Sequence, residues 1–299
     1  MKMLRLVVCG WGLVMACAMA QGPDFTIVAL PDTQNYSKTF PDIFVSQASW
    51  IIAQRTNLNI VYVAHLGDIT DSGDKEQREW LNATNALYRL LGAGVPLGVV
   101  PGNHDHVNGT KLYNKYFGLR RFAGQLYYGG RLGKDNQNHY DLVSASGVAF
   151  VILFLDFNYE DIKYRAMDVW AKDVLKRYRR RQAIVVSHDI LTADGKFDPR
   201  GAAIYENLKY QPNLSMMLCG HNHGESRQFL TNGTHVVTAC LSDYQCYTNG
   251  GNGFLRLYQF SPSNNLVRVK TYSPWLDRYE TNSWSQFEFP YSMSLKARP

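Results

Sequence analysis

Apolar and polar positions along this chain alternate in two rhythms. Short, β-branched-rich runs, FTIVAL (25–30), IVYVAHL (60–66), VPLGVV (95–100), AIVVS (183–187) and SMMLC (215–219), read as strands. Between them lie segments of helical period: Pro41 to about Thr56, 75–91, and about 161–178. In the second of these Trp80, Ala83, Leu87, Leu90 and Leu91 share a face. In the third, Ile162, Ala166, Val169, Trp170 and Val174 are expected to point inward. HYDLV and VAFVILFLDF form a strand pair about a turn at Ser146-Gly147. After residue 224 the helical rhythm fades, and QFL, HVVTACL, GFLRLYQF and NLVRVKTY are strands separated by NG, GNG and SPSNN turns. Strand–helix alternation implies a largely parallel sheet, so the fold class is an α/β core finished by a β-rich C-terminal part.

The first twenty residues, MKMLRLVVCGWGLVMACAMA, stand apart. Lys2 and Arg5 precede an apolar stretch from Leu6 to Ala20, and Ala18-Met19-Ala20 offers an A-x-A site; together these are the three regions of a secretory signal peptide, cleaved after Ala20. That stretch of about 15 apolar residues falls short of the roughly 20 that a membrane span needs. An uncleaved anchor is the alternative, and Val14-Met15-Ala16-Cys17 weakly resembles a bacterial lipoprotein signal with Cys17 as the lipidated residue. Either way the body, residues 21–299, is expected to leave the cytosol as one domain, secreted or periplasmic, with no membrane span in the mature chain. Removing Lys2 and Arg5 from the 31 Lys and Arg leaves 29 against 25 acidic residues, a mild net charge of +4. This suits anionic substrates, but no basic patch is interleaved with aromatics, which argues against nucleic acid as the partner. The one dense run, Lys176 to Arg181, closes a helical pattern, where cations suit the negative end of the helix dipole. Three cysteines remain, Cys219, Cys240 and Cys246, and an odd count excludes a complete disulfide framework. Cys240 and Cys246 are a candidate bridge in an oxidising compartment, and Cys219 reads as a buried thiol.

Five apolar runs end in polar clusters. FTIVAL-Pro31 leads into Asp32-Thr33-Gln34, IVYVAHL into Gly67-Asp68-Ile69-Thr70-Asp71, and VPLGVV-Pro101 into Gly102-Asn103-His104-Asp105. AIVVS ends in His188-Asp189 and SMMLC in Gly220-His221-Asn222-His223. In open α/β sheets ligands collect where strands end and loops begin, so these carboxylates, asparagine and histidines are expected to converge on one crevice. A lone strand-end aspartate is more often a turn or helix cap. Five such clusters in order point to a shared site.

GDITD, GNHD and GHNH, with DTQ before them and His188 between, resemble the calcineurin-like metallophosphoesterases, whose pattern runs D-x-H, G-D-x-x-D, G-N-H-D/E, a strand-end H, and G-H-x-H. The matching motifs span residues 32–223. The resemblance implies a four-layer α/β/β/α sandwich, with the β-rich tail completing one sheet, and a hydrolase of phosphate esters working at two metal ions. Asp68 would bridge both ions; Asp32 and His223 would join it on the first, and Asn103, His188 and His221 on the second. These residue types suit the task, since a carboxylate can span two cations while imidazole and amide donors are neutral and leave room for a phosphate anion. A one-residue gap lets His221 and His223 diverge to separate ions, and Gly220 allows a close backbone approach. A hydroxide bridging the ions would attack phosphorus in line. His104 would protonate the leaving oxygen, with Asp71 orienting it, and Asp105 would support the loop. Gln34 departs from the pattern, which has histidine there. Its amide oxygen either ligates the first ion or leaves it alone, and an oxygen-rich first site is expected to favour Mn²⁺, Mg²⁺ or Fe over tightly held Zn²⁺.

Other residues carry less. Ser242-Asp243-Tyr244-Gln245 follows HVVTACL and either lines the pocket or, the blander reading, makes a turn between strands. His65 reads as core, and His106 stands where a substrate passes or where a loop needs an anchor. The leading expectation is a secreted phosphatase or phosphodiesterase acting on a small phosphate ester. The alternatives are a non-catalytic binding protein on a degenerate phosphoesterase scaffold, motivated by Gln34, and a nuclease, which would need a basic groove.

Overall fold

The computed structural model describes residues 22–157, 161–233 and 235–293. The segment read as a signal peptide, its expected cleavage point and Cys17 lie outside the described residues. The strands are β1 (Phe25–Leu30), β2 (Ile60–His65), β3 (Leu97–Val99), β4 (Tyr128–Arg131), β5 (His139–Ala145), β6 (Val148–Leu155), β7 (Gln182–Ser187), β8 (Leu214–Cys219), β9 (Gly224–Asn232), β10 (His235–Asp243), β11 (Leu255–Ser261), β12 (Leu266–Ser273), β13 (Arg278–Glu280) and β14 (Phe287–Pro290). The helices are α1 (Gln34–Lys38), α2 (Pro41–Gln54), α3 (Gln77–Gly92), α4 (Lys111–Phe117), α5 (Leu119–Phe122), α6 (Asp161–Arg177), α7 (Pro199–Leu208) and α8 (Thr248–Gly251).

Two seven-stranded sheets result, one ordered β13-β12-β11-β1-β2-β3 with β14 also on β12, the other β4-β5-β6-β7-β8-β10-β9. Period-2 alternation assigns each strand face to a layer. In β6, Phe150, Ile152 and Phe154 face the first sheet, where they meet Phe25 and Ile27 of β1. Val151, Leu153 and Leu155 of the same strand face outward, onto Leu175 of α6 and Ile204 of α7. On the far side of the first sheet Val28 and Leu30 pack against Phe44 of α2 and Trp80 and Leu87 of α3. Three apolar layers therefore separate four layers of secondary structure, α/β/β/α, as the sequence resemblance implied.

Local chemistry sets the boundaries. Pro41 opens α2 with Asp42 in its first turn, and Asp198 caps α7 ahead of Pro199 by accepting from the backbone N–H of Arg200 at 3.0 Å. Ser146 and Gly147, with φ of 50° and 81°, make the tight turn that joins β5 to β6. The tail divides: β11–β14 complete the first sheet, while β9 and β10 extend the second, with β10 parallel to β8. On α6 the buried stripe is Met167, Ala171, Val174 and Leu175, and Val169 is 61% exposed. Of the expected inward stripe, Val174 is buried and Trp170 packs half-buried on the same cluster, Ala166 and Val169 are exposed, and the Ile162 side chain lies outside the described residues; packing on the second sheet turns the helix towards Met167, Ala171 and Leu175. Cys240 is buried in β10 and Cys246 is exposed, both as free thiols, so no bridge joins them.

One buried ion pair ties the tail to the strand after the histidine pair. Arg256 of β11, wholly buried, donates to Glu225 of β9, to the Leu241 carbonyl at 3.2 Å and to that of Trp284 at 3.2 Å. Burial pushes the Glu225 carboxyl up, but the Arg256 guanidinium and the Ser285, Tyr244 and Thr271 hydroxyls outweigh it and hold the group below its ordinary value. Its stabilising contribution is therefore complete above the ordinary glutamate range and lost as pH falls through the lowered folded value. Glu225→Ala leaves a buried guanidinium unpaired and is expected to cost about 3–5 kcal/mol in denaturant unfolding.

Candidate metal centre

The parallel strands β1, β2 and β3 of one sheet and β7, β8 and β10 of the other all deliver their C-terminal ends to the same region. Asp32, Asp68 and His221 stand at three of these exits with φ of 38°, 50° and 70°. Such left-handed conformations are costly for side-chain-bearing residues and mark places where the surrounding fold enforces a geometry. The glycines beside them leave room. A Cβ on Gly220 would collide with Asp32 Oδ2, and one on Gly102 with Asp68 Oδ1. Gly102→Ala is expected to displace the Asp68 carboxylate, lowering both the melting temperature and the number of ions retained per chain by elemental analysis.

His188 is the hub. Buried at the exit of β7, it donates from Nδ1 to the Leu66 carbonyl at 3.0 Å. Its Nε2 then faces Asn103 Oδ1 at 3.1 Å, His221 Nδ1 at 3.2 Å and Asp68 Oδ2 at 3.4 Å. Asp68, His188 and His221 each offer a ligand atom within 4.8 Å of the others, a set able to hold a metal ion. Burial alone would lower the His188 pKa, but the carboxylates of Asp68 and Asp32 raise it to about 10; burial and then His188 hold His221 down to about 4. The field that would keep a proton on His188 favours a cation in the same place. Asp68 spends its other oxygen, Oδ1, accepting the backbone N–H of His104 at 2.9 Å.

The other half is marked by unmet oxygens. Asp32 Oδ1 accepts the His221 backbone N–H at 3.0 Å, while its Oδ2, like Oε1 of Gln34 at the head of α1, is buried with no hydrogen-bond partner. Buried oxygens without donors are expensive, and a cation among them removes the cost. Burial, and after it the charge of Asp243, hold the Asp32 carboxyl well above its usual range. His223 stands outside the tight donor cluster: it is exposed, and its Nδ1 lies 2.8 Å from Cys246 Sγ. The donor chemistry of the two halves, carboxylate, amide and imidazole, fits divalent cations.

His104 Nδ1 donates to the backbone carbonyl of Asp71 at 2.8 Å, closer than the Asp71 carboxylate at 3.4 Å, which pairs instead with Lys38 of α1 at 2.6 Å. Asp71 thus reaches the imidazole first through its carbonyl, because Lys38, which sequence reasoning did not single out, draws its side chain away. Asp105 accepts three backbone N–H groups, from Gly102, Ile69 and Thr70, and clamps the loops that carry Asn103 and Asp68. His65 is buried core, bonded to Thr33 at 2.8 Å, and burial lowers it to about 3. His106 is pinned to Asp156 at 2.8 Å. Asp243, left open above between lining the pocket and making a turn, ends β10 and is buried close enough to Asp32 for its charge to act on that carboxyl.

This arrangement can be compared with known proteins. The calcineurin-like phosphoesterase profile matches residues 25–225. The chain belongs to the calcineurin-like phosphoesterase family. It is 37% identical over 289 residues to the uncharacterized protein YvnB of Bacillus subtilis (strain 168), covering 92% of this chain and 22% of that one. This chain therefore spans about a fifth of the length of that relative. In fold it is similar to a dimetal phosphatase from Danio rerio, with a TM-score of 0.60 and 13% identity over 90% of this chain and all of the other. It is also similar to GAP50, the anchor in the inner membrane complex of Plasmodium, with a TM-score of 0.58 and 16% identity over 90% of each chain. Among the described residues no helix is long and apolar enough to cross a membrane.

Proposed function

We propose that this protein hydrolyses a small phosphate ester, a phosphomonoester or phosphodiester, at a pair of divalent cations. The observation that carries this reading is the convergence on His188 Nε2 of an amide oxygen, a carboxylate oxygen and a second imidazole nitrogen at 3.1–3.4 Å. Two ring nitrogens facing each other satisfy one proton between them at most, whereas both can donate to one cation. Asp68, Asn103, His188 and His221 would hold one ion, and Asp32, Gln34, His223 and the shared Asp68 the other; Mn, Fe, Zn or Mg all suit such a donor set. When bound, the pair supplies charge neutralisation for the phosphate and activation of water.

The remaining work falls to the protein. The Leu66 carbonyl fixes the His188 ring so that Nε2 faces inward. Asp105 holds the Gly102 and Ile69 backbones, and with them Asn103 and Asp68, in register. His104, anchored through Nδ1 on the Asp71 carbonyl, is free at Nε2 to give a proton to the leaving oxygen. The chain would do this outside the cytosol, after cleavage following Ala20.

Assays of mono- and bis-nitrophenyl phosphate with Mn²⁺ and with chelator test the reading. Metal-dependent turnover of either ester is expected, and the preferred ester names the substrate class. Turnover of neither would favour a binding scaffold, and salt-sensitive cleavage of DNA a nuclease.

A further inference from the structure

Five strand exits supply the centre described above, but a sixth arrives beside them. Strand β10 runs parallel to β8 with Leu241 opposite Cys219, so Asp243 stands two residues past that pair, as His221 does on β8. Its carboxylate is 1% exposed. Gln245 grips it through its backbone N–H at 2.9 Å and its side-chain amide at 3.0 Å. Among the described residues no lysine or arginine forms an ion pair with it. The same turn is fastened on both sides of the first-ion position. The Gln245 carbonyl accepts from Asn35, next to Gln34, at 3.3 Å, and Cys246 Sγ meets His223 Nδ1 at 2.8 Å. Asp32, on which the Asp243 charge acts, and Gln34 each keep a buried oxygen without a hydrogen-bond partner. Two buried carboxylates, an unmet amide oxygen and a histidine thus adjoin one another, and a buried negative charge of this kind is retained where a cation compensates it.

We propose that Asp243 is a further cation-holding carboxylate of the first-ion position, supplying there the binding strength that an amide at Gln34 lacks. The proposal rests on the two-ion reading of the centre. It adds a sixth strand exit to the site and makes the first position a hard, oxygen-dominated one, suited to Mn²⁺ or Mg²⁺. The turn from Asp243 to Cys246 becomes a wall of the metal centre.

Calorimetric titration of Mn²⁺ into chelator-stripped full-length protein tests it. Wild type is expected to take up two ions, and Asp243→Asn to weaken one step by tenfold or more while the other is unchanged; Asp243→Glu is expected to restore part of the loss. Asp32→Asn is the control that identifies the first-ion step. An Asp243→Asn protein that titrates like wild type, while Asp32→Asn loses a step, overturns the role of Asp243 and leaves the two-ion reading standing. Wild type that takes up no ion overturns both. Should Asp243→Asn lose its melting transition, Gln245→Ala carries the test: a weakened first step supports the proposal, and an unaltered titration overturns it.

Discussion

Asp68→Asn protein is expected to lose its ions and its turnover together. Asp68 presents Oδ2 to His188 while its Oδ1 takes the His104 backbone N–H, so it links the donor cluster to the loop that carries His104, the proposed acid. Asparagine keeps the shape but removes the charge and puts N–H donors where a cation needs an oxygen. Changing an outer partner of a metal ligand already costs about 10–100-fold in affinity, and a shared ligand should cost more. The fall in kcat/KM should reach at least about 10³, the size seen when one preorganised stabilising group is removed. The His188 ring should also lose the carboxylate that does most to raise its pKa, and NMR titration of its ring protons in the stripped protein should show the value displaced downward. Retention of both ions with normal turnover would mean that Asp68 is structural.

The second large effect is at His104. His104→Asn keeps the backbone N–H that Asp68 receives, so ions per chain should be unchanged. On the proposed role the proton donor is gone, and removing a general acid costs about 10²–10⁴ in rate. The loss should depend on the leaving group. Nitrophenolate departs without a proton, whereas an alkoxide does not, so alkyl esters should suffer more than nitrophenyl esters. Equal losses for both would remove His104 from proton transfer and leave it a phosphate-binding role.

What the sequence revealed follows from how each residue announces itself. Asp68, Asn103, His188 and His221 were legible because short apolar runs ended in residue types that have little use together except as ligands, and the structure brings their donor atoms within 3.4 Å of His188 Nε2. Asp243 obeys the same pattern, at the end of HVVTACLS, yet a single aspartate after a strand is ordinarily a turn residue; only the β8–β10 pairing shows its level. Lys38 was invisible for a related reason. Nothing in NYSK says that a lysine will draw the Asp71 carboxylate away from His104, since that depends on how α1 sits against the loop after β2. Short elements were the other gap: β4 is YGGR and α7 is PRGAAIYENL, too glycine-rich or too mixed to carry a period. On α6 the period was legible but its phase was not, because the sheet, rather than the helix, chooses the buried stripe.

Elemental analysis of the purified full-length protein, after gel filtration in metal-free buffer with Mn²⁺ supplied beforehand, bears most directly on the whole account. Two ions per chain are predicted for wild type, falling towards none in Asp68→Asn. A wild-type chain that retains no metal, and binds none on titration, would contradict it.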